Sequence, residues 1–259
     1  MRFARCAKYG KSAPFIAAFI AVSIGAAWSQ GEDLPTGREV IDRYVEAIGG
    51  EKAIREVSAQ HMVGKMELRA QGVSADMEIF TAPPNKMLVK IEIPAVGSIS
   101  TGFDGEVGWG INPMTGPMVL EGRELDQMRQ QADQFASLHP DHLIESLETV
   151  EKTEFQEHTC YKVKVVTTWG EEYYEYFDVD SGLIIGVERT QSSPMGEIPV
   201  TSIISDYKEF GNLLVATKTV QQTMGVEQIL TVSELENVDL DPAMFELPAE
   251  IKAMTEGAQ

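Results

Sequence analysis

Histidines are the first residues to consider for chemistry, because their side chains bind metals and exchange protons near neutral pH. Two of the four histidines, His139 and His142, are separated only by Pro140 and Asp141. That spacing suits two ligands of one metal ion, but the sequence offers no evident third or fourth ligand. Pro140-Asp141 is also typical of a helix start. We therefore expect no metal site.

Recognisable catalytic motifs are missing from the rest of the chain. The sequence contains no G-x-S-x-G elbow, H-E-x-x-H motif, P-loop, Rossmann glycine pattern or C-x-x-C motif. Carboxylates are so abundant that Glu171-Glu172 indicates a solvated face rather than an acid–base pair. Asp104, Asp178 and Asp180 fall in turns, where Asp bonds to its own backbone. We expect no catalytic residue, no cofactor and no enzymatic activity, with a hydrolase acting on an envelope lipid as the enzymatic alternative.

The first 29 residues are typical of a secretory signal peptide. An apolar run over 14–27 is too short for a membrane span of about 20 residues, although an uncleaved anchor remains the alternative. Cys6 precedes the apolar run, so it is not a lipid-attachment cysteine and the protein is not itself a lipoprotein. We predict a cleaved leader over 1–29, a single domain over 30–259 and a periplasmic location. The basic residues before the apolar run are Arg2, Arg5, Lys8 and Lys11, and the small residues at its end are Ala26, Ala27 and Ser29.

Composition limits the partners of the exported chain. The full chain has a formal net charge of −19, and loss of the leader leaves 17 basic against 40 acidic residues, or −23. Such a field repels nucleic acid and anionic membrane surfaces, so we expect neither as a partner. Cys160 would be the one remaining cysteine, which excludes an internal disulfide and suggests a buried strand residue. About 230 residues can bury a sizeable core.

Helical spacing of apolar residues occurs at two places. Thr36 and Glu39 are spaced as a capping box before an apolar stripe, and Gly49-Gly50 is a helix stop. A short turn over 51–57 follows. The stretches 122–138 and about 140–148 predict two further helices inserted into the chain; the first carries the stripe Leu125, Met128, Ala132, Phe135 and Leu138.

Most of the remaining chain alternates between apolar and polar residues with period two, which is typical of antiparallel strands. Hairpin turns are indicated at Asp104-Gly105, Asp180-Ser181-Gly182 and Gly211-Asn212. This pattern predicts strands over 60–70, 73–81, 86–93, 97–103, 106–111, 150–156, 160–169, 171–178, 183–191, 197–210, 213–223 and 226–236.

The apolar side of this sheet is larger than the predicted helices can cover tightly. The sheet must therefore curl on itself, pair with a second sheet, or enclose a cavity. Methionine is plentiful along the strands and helices, and its flexible thioether suits surfaces that accept varied apolar ligands. Ordinary core packing explains the methionines equally well.

Four segments resemble a known family. They are YVEAIGGEKAI at 44–54, GFDGEVGW at 102–109, YFDVDSGL at 176–183 and YKEFG at 207–211. In this order, and with the inserted helices between them, they resemble the outer-membrane lipoprotein-sorting protein group, relatives of the periplasmic lipoprotein carrier with a LolA/LolB-like fold. The resemblance extends over about residues 36–248.

This resemblance implies an α+β, mainly β fold: a strongly curved antiparallel sheet, or incomplete β-barrel, of about eleven strands, with an N-terminal helix and an inserted helical lid. It also implies an apolar cavity that holds acyl chains of lipoproteins in transit. Two departures accompany it. No arginine, Arg69 included, aligns with the buried arginine that closes the lid of the carrier, and Ala216 lies where many relatives have proline.

We therefore expect a monomeric carrier of acyl chains of lipoproteins or other amphiphiles. A protein-interaction or lipid-sensing module of the envelope, with a protein partner and no transport role, is the alternative. The predicted cavity lies between the apolar sheet face and the helical lid, and its lining residues are Met62, Met66, Met77, Ile79, Val89, Ile91, Trp109, Leu125, Met128 and Phe135.

Overall fold

A single antiparallel sheet of thirteen strands dominates the computed structural model, which describes residues 33–94, 96–193 and 196–257. The predicted signal peptide lies outside the described residues. From Leu34 onward the chain clusters as one compact unit. The strands are β1 Gln60–Leu68, β2 Val73–Ala82, β3 Lys86–Ile93, β4 Gly97–Phe103, β5 Gly108–Asn112, β6 Gly116–Val119, β7 Ile144–Phe155, β8 His158–Thr167, β9 Glu172–Asp178, β10 Ile184–Ser193, β11 Gly196–Phe210, β12 Leu213–Thr223 and β13 Val226–Asn237.

The strand order shows how the sheet is assembled. It runs β6-β5-β4-β3-β2-β1-β13-β12-β11-β10-β9-β8-β7. The chain therefore builds outward from β1 to the edge strand β6, crosses to the opposite edge at β7, and returns by hairpins until β13 pairs with β1. Edge strands β6 and β7 do not pair with each other, so the sheet is curved but open rather than a closed barrel.

In the described ranges, four α-helices accompany the sheet: α1 Gly37–Ala47, α2 Gly50–Arg55, α3 Gly122–Ala132 and α4 Ala249–Glu256. Short 3₁₀ turns occupy Arg69–Gln71, Ala136–Leu138 and Pro242–Phe245. Within the described residues, no helix has the length and apolar character needed to cross a bilayer.

The predicted capping box begins α1. The backbone N–H of Thr36 donates to Glu39 Oε2 over 2.7 Å, and the backbone N–H of Glu39 donates to Thr36 Oγ1 over 3.3 Å. These two bonds satisfy N–H groups that have no partner within the helix. The predicted stop is also present: Gly49 has φ 126° and a Cβ there would collide with the carbonyl oxygen of Asn212. Only glycine fits this contact between the α1–α2 junction and the β11–β12 turn.

Directly paired residues of antiparallel strands project from the same face of a sheet, which defines two faces here. We call the face that carries Met77, Val89 and Val163 the inner face. Helix α1 packs on its β8–β9 half, where Val40, Ile41 and Val45 join Val163, Val165 and Phe177 in one cluster. Helix α3 packs on its β3–β4 half, so both helices cover the same side of the sheet.

The outer face has a covering that the sequence did not predict. Phe245 of the last 3₁₀ turn and Ile251 of α4 pack against three buried outer-face residues, Phe80, Leu88 and Trp109. Trp109 pairs with Gly102, which brings it to the outer face, opposite Met87 and Phe103. The placement of Trp109 on the same face as the predicted cavity is therefore wrong.

Two further expectations need correction: one predicted helix is wrong, and one strand was not predicted. The second lid helix over 140–148 is wrong, because β7 begins at Ile144. Its register with β8 shifts between Ile144 and Ser146 and again between Thr149 and Glu151. These two irregularities interrupt the period-two alternation, so the spacing of apolar residues imitates a helix. Strand β6 was missed because Gly116 and Pro117 are more typical of loops.

The outer-face cluster generates a stability prediction. Phe245→Ala removes a buried aromatic side chain and should lower the free energy of unfolding by about 3–5 kcal/mol in urea denaturation. Trp109 fluorescence should shift towards that of a solvated indole at lower urea than in the wild type. Met254→Ala, a truncation of an exposed side chain on the same C-terminal segment, should change stability by less than about 0.5 kcal/mol. Equal effects of the two variants would contradict the assigned packing.

Candidate ligand-binding site

Two adjoining cavities remain between the inner face and the helices. The first, the apolar chamber, has a volume of about 420 Å³. Its walls come from α1, α2, the end of α3, β1, β2 and β10–β12. Helix α1 covers one half of the inner face and α3 the other, and the space between them is left unfilled. It is lined by Tyr44, Ile48, Ile54, Val57, Gln60, Met62, Thr81, Gln131, Ala132, Gln134, Ser137, Ile184, Ile204, Tyr207, Leu213, Leu214, Val215, Ala216 and Thr219.

The second cavity, the polar chamber, has a volume of about 860 Å³ and lies beside the first, under α3. The two chambers share six lining residues, which are Tyr44, Gln131, Ser137, Ile184, Ile204 and Thr219. Polar side chains make up most of the remaining wall. It is formed by Thr101, Gln127, Gln130, Ala136, His139, Tyr173, Glu175, Val187, Arg189, Gln191, Val200, Ser202, Gln221 and Gln228.

Helix α3 crosses between the two halves of the sheet and holds each half differently. Towards β3–β5 it presents Leu125, Met128 and Ala132, which form an apolar cluster with Met87 and Phe103. Ile79 and Val89 pack against the same cluster. This half of the inner face is therefore filled by the protein's own side chains.

Towards β9–β11 the same helix uses polar contacts. Gln127 donates to Glu171 Oε1 over 3.0 Å, and Gln130 donates to the Tyr173 hydroxyl over 2.8 Å. At the start of α3, Arg123 and Glu197 form an exposed ion pair at 3.0 Å. The exposed pair and the bond to the Tyr173 hydroxyl each contribute about 1 kcal/mol, and the buried bond to the Glu171 carboxylate about 1.5–3 kcal/mol. Separate polar contacts therefore hold this side of α3, whereas an apolar cluster holds the other.

A buried ion pair closes the loop after α3. His139 Nε2 lies 2.7 Å from Glu175 Oε2, and both side chains are more than 90% buried. Its Nδ1 lies 3.2 Å from the carbonyl oxygen of Ser137, so both ring nitrogens have acceptors. Arg38 of α1 holds the same loop by donating to the carbonyl oxygens of Leu138 and His139 over 3.1 Å each.

The charge state of His139 follows from these contacts. Burial alone lowers its pKa, but the charge of Glu175, the hydrogen bond to Glu175 and the bond to the Ser137 carbonyl together outweigh burial and raise the pKa above 6.5. Arg38 opposes this rise. The 2.7 Å contact between His139 Nε2 and Glu175 Oε2 and the raised pKa of His139 both favour an imidazolium–carboxylate pair, which adds no net charge to the polar chamber.

Arg189 of β10 is the other charged group of the polar chamber. Its guanidinium carbon lies 4.6 Å from the ring centre of Tyr173, and its Nη2 donates to Gln130 Oε1 over 3.4 Å. Its Nε is buried and has no hydrogen-bond partner among the described residues. The same is true of the side-chain amide of Gln134, which lies beside the apolar chamber.

The ten residues predicted to line a cavity have different locations. Met62 lines the apolar chamber. Met128 of α3 lies in the buried cluster against which Ile79, Val89 and Leu125 pack. The others lie outside the walls of both chambers: Met66, Met77 and Ile91 on the inner face, Phe135 against the α1 cluster and Trp109 on the outer face.

Most of the polar chamber was missed because its inner-face strand positions are polar. Gln191, Gln221 and Gln228 occupy inner positions of β10, β12 and β13, and Arg189 does so in β10. Alternation alone assigns such residues to a solvated face. The motifs at 44–54 and 207–211 did carry a signal, because Tyr44 lines both chambers and Tyr207 lines the apolar one.

The other candidate residues have structural partners. His142 lies 2.6 Å from Asp133 and not beside a second metal ligand; no described group of three His, Cys, Asp or Glu side chains could hold a metal ion. Cys160 is a buried residue of β8, as predicted, and burial raises the pKa of its thiol to about 11. Glu171 is buried and accepts bonds from Gln127 and Trp169.

The His139–Glu175 pair generates a pH prediction. A histidine whose pKa is raised by folding stabilises the fold fully below its unfolded pKa of about 6.5, and that contribution is lost as pH rises through the folded pKa. His139→Asn tolerates the local φ of 48° but removes the charge. The stability difference between wild type and variant should therefore be largest below about pH 6.5 and shrink above it.

Urea denaturation from pH 5 to pH 9 measures this difference. His142→Asn is the matched control, because the His142 side chain is 62% exposed and its ion pair contributes little. A difference for His139→Asn that grows with rising pH would contradict the assigned ion pair.

Comparison with known proteins supports the fold. No family model and no curated protein matches the sequence. Among solved structures, a LolA superfamily protein from Nitrosomonas europaea superposes with a TM-score of 0.56 at 13% identity, over 83% of this chain and 99% of that one. A DUF1329 family protein from Desulfovibrio piger gives 0.59 at 10% identity, over 82% and 98%.

A third structure is described as a putative outer membrane lipoprotein-sorting protein domain from Vibrio parahaemolyticus. It superposes with a TM-score of 0.56 at 12% identity, over 81% of this chain and 96% of that one. The three likenesses each cover 81–83% of this chain. The protein therefore has the LolA-like fold that the sequence motifs indicated.

Proposed function

We propose that this protein is a periplasmic carrier that holds the acyl chain of a lipoprotein or another amphiphile in the apolar chamber. The observation that carries the proposal is the unfilled space between α1, α2 and the inner face, about 420 Å³ bounded mostly by aliphatic and aromatic side chains. Cavities that bind small ligands have volumes of about 300–1,000 Å³ and similar walls.

The energy of acyl binding supports this use. Removing a methylene group from water contributes about 0.8 kcal/mol, so about ten buried methylenes contribute about 8 kcal/mol before the costs of association. The costs of association, at least about 4 kcal/mol, are subtracted from this gross energy, so longer acyl chains bind more tightly than short ones. Binding that rests on apolar burial is reversible, which permits both capture and release, and it requires no covalent chemistry.

The adjoining polar chamber suits the other end of an amphiphile. Tyr44, Ile184 and Ile204 belong to the walls of both chambers, so a ligand can extend from one chamber into the other. An acyl chain would lie among Ile54, Val57 and the 213–216 segment, while its polar end would lie under α3. The separate polar contacts between α3 and β9–β11 supply a side from which the helix can be displaced for entry.

The sequence and the fold support the cellular setting. A leader over 1–29 predicts export, and one structure with the same fold is described as a putative lipoprotein-sorting domain. Transport of a lipid-modified cargo through the periplasm would require the acyl chain to be shielded from water, which the chamber provides.

A protein-interaction module is the second candidate, favoured by the edge strand β7. It is 12 residues long, and its outer edge is unpaired among the described residues. An extended peptide could add to such an edge. Two results together would favour this candidate over the carrier. A proline in the middle of β7 would abolish capture of a protein partner, and the apolar chamber would hold no ligand.

Filling the apolar chamber tests the carrier proposal. Ala216→Phe adds an aromatic ring to the chamber wall in β12 and should weaken binding of a fluorescent fatty acid at least about tenfold, because the ring occupies the volume of several methylenes. Fluorescence titration of the purified chain measures the dissociation constant. Wild-type protein should bind about one probe per chain.

Ala70→Phe serves as the matched control, since Ala70 is exposed in the β1–β2 connection. It should bind the probe with wild-type affinity, and thermal unfolding of both variants should show that each remains folded. Identical affinity of Ala216→Phe and Ala70→Phe, or no binding of any amphiphile to the wild type, would overturn the proposal.

A further inference from the structure

Arg189 occupies an unusual electrostatic position in the polar chamber. It lies on the inner face of β10, directly paired with Val200 of β11. Tyr173 supports the guanidinium from one side at 4.6 Å, and Gln130 of α3 accepts one hydrogen bond at 3.4 Å. The guanidinium is thus fixed in place, but Nε lacks a hydrogen-bond partner among the described residues.

No carboxylate compensates this charge in the part of the chain that the structure describes. The carboxylate in the chamber wall, Glu175, is bonded to His139 at 2.7 Å. The nearby carboxylate of Glu171 accepts bonds from Gln127 and Trp169. An arginine without a carboxylate partner is unexpected in a chain with 40 acidic residues. A partly buried charge without a counter-ion destabilises the fold, whereas a charge-assisted bond to an anion would offset that cost.

Three glutamine side chains of the polar chamber supply further hydrogen-bond donors for an anionic group. Gln131, Gln221 and Gln228 face the polar chamber and have no side-chain hydrogen bond among the described residues. Each amide can donate two hydrogen bonds to anionic oxygens and can accept from hydroxyl groups. Inner-face positions that served only for packing would be apolar, as Met77 and Val89 are in the other half of the sheet.

We propose that the polar chamber binds a headgroup with a single negative charge, a carboxylate or a phosphodiester, and that Arg189 is the residue that pairs with it. The proposal rests on the carrier function, because the acyl chain of the same molecule would lie in the adjoining apolar chamber. It adds a chemical class of cargo: an anionic lipid is preferred over a neutral one with the same chain.

The charge balance of the chamber sets the preference for one negative charge. Arg189 contributes one positive charge without a carboxylate partner among the described residues, while an imidazolium of His139 and the carboxylate of Glu175, 2.7 Å apart, would cancel each other. A headgroup with two negative charges would leave one of them uncompensated inside an acidic protein. A neutral headgroup would leave Arg189 without a counter-ion. A fatty acid and a phosphatidylglycerol-type lipid both satisfy the balance, and they share the same oxygen-anion chemistry.

Paired ligands of equal chain length test the preference. One pair is a fatty acid and the corresponding fatty alcohol, and the other is a lysophosphatidylglycerol and the corresponding monoacylglycerol. Displacement of a fluorescent acyl probe gives each dissociation constant. We expect the anionic member of at least one pair to bind about 10–100-fold more tightly, which is the range for hydrogen bonds to a charged group. A preference in only one pair identifies the carboxylate or the phosphodiester as the bound group.

Two variants connect the preference to Arg189. Arg189→Gln should reduce the anionic-to-neutral affinity ratio to near one, while Arg189→Lys, which keeps the charge, should retain most of it. Arg69→Gln removes one positive charge from an exposed position in the β1–β2 connection and should leave the ratio at its wild-type value. Because a ratio is compared, a general loss of packing does not imitate the expected result.

The outcomes separate this proposal from the carrier function. Equal binding of anionic and neutral ligands by the wild type would overturn the role of Arg189 and leave the carrier function in place. Retention of the ratio in Arg189→Gln would do the same. Failure of every amphiphile to bind would instead overturn the carrier function itself.

Discussion

The structure depends on how a thirteen-stranded open sheet covers its inner face. Helix α1 shields the β7–β9 half with a continuous apolar cluster, and α3 must shield the rest while spanning to the opposite half. The two sides of α3 make different kinds of contact with the sheet. Leu125 and Met128 pack on the β3–β4 half, whereas Gln127 and Gln130 bond to residues of the β9 region. Apolar packing therefore holds one side of α3, and separate polar contacts hold the other.

The two chambers follow from this arrangement. Because α1 and α3 lie apart on the inner face, they border the space between them without filling it, and α2 closes it only in part. Where the surrounding strands supply aliphatic residues the space is apolar, and where they supply amides and Arg189 it is polar. An amphiphile matches such a pair of chambers better than a wholly apolar or wholly polar ligand does, since each part of the molecule has a suitable environment.

Local rules predicted the parts of the fold that local interactions determine. The Thr36–Glu39 capping box, the glycine stop after α1 and most strand limits needed only spacing, alternation and turn residues. Strand β7 was not predictable in this way because its bulges are set by pairing with β8. The outer-face location of Trp109 and the inner-face location of Arg189 depend on long-range register, and a strand with polar residues on its inner face resembles an exposed one. The filled half of the predicted cavity was likewise not foreseeable, because it depends on how closely α3 approaches the sheet.

A crystal structure with a fatty acid brominated at its terminal carbon would show directly where a bound acyl chain lies. Anomalous scattering locates the bromine without assumptions about the rest of the ligand. The account predicts one bromine site in the apolar chamber near Ile54, Val57 and Leu213, with the carboxylate directed towards Arg189. A bromine site in the outer-face groove beside Trp109 and Met244, or an apolar chamber that closes without ligand, would contradict it.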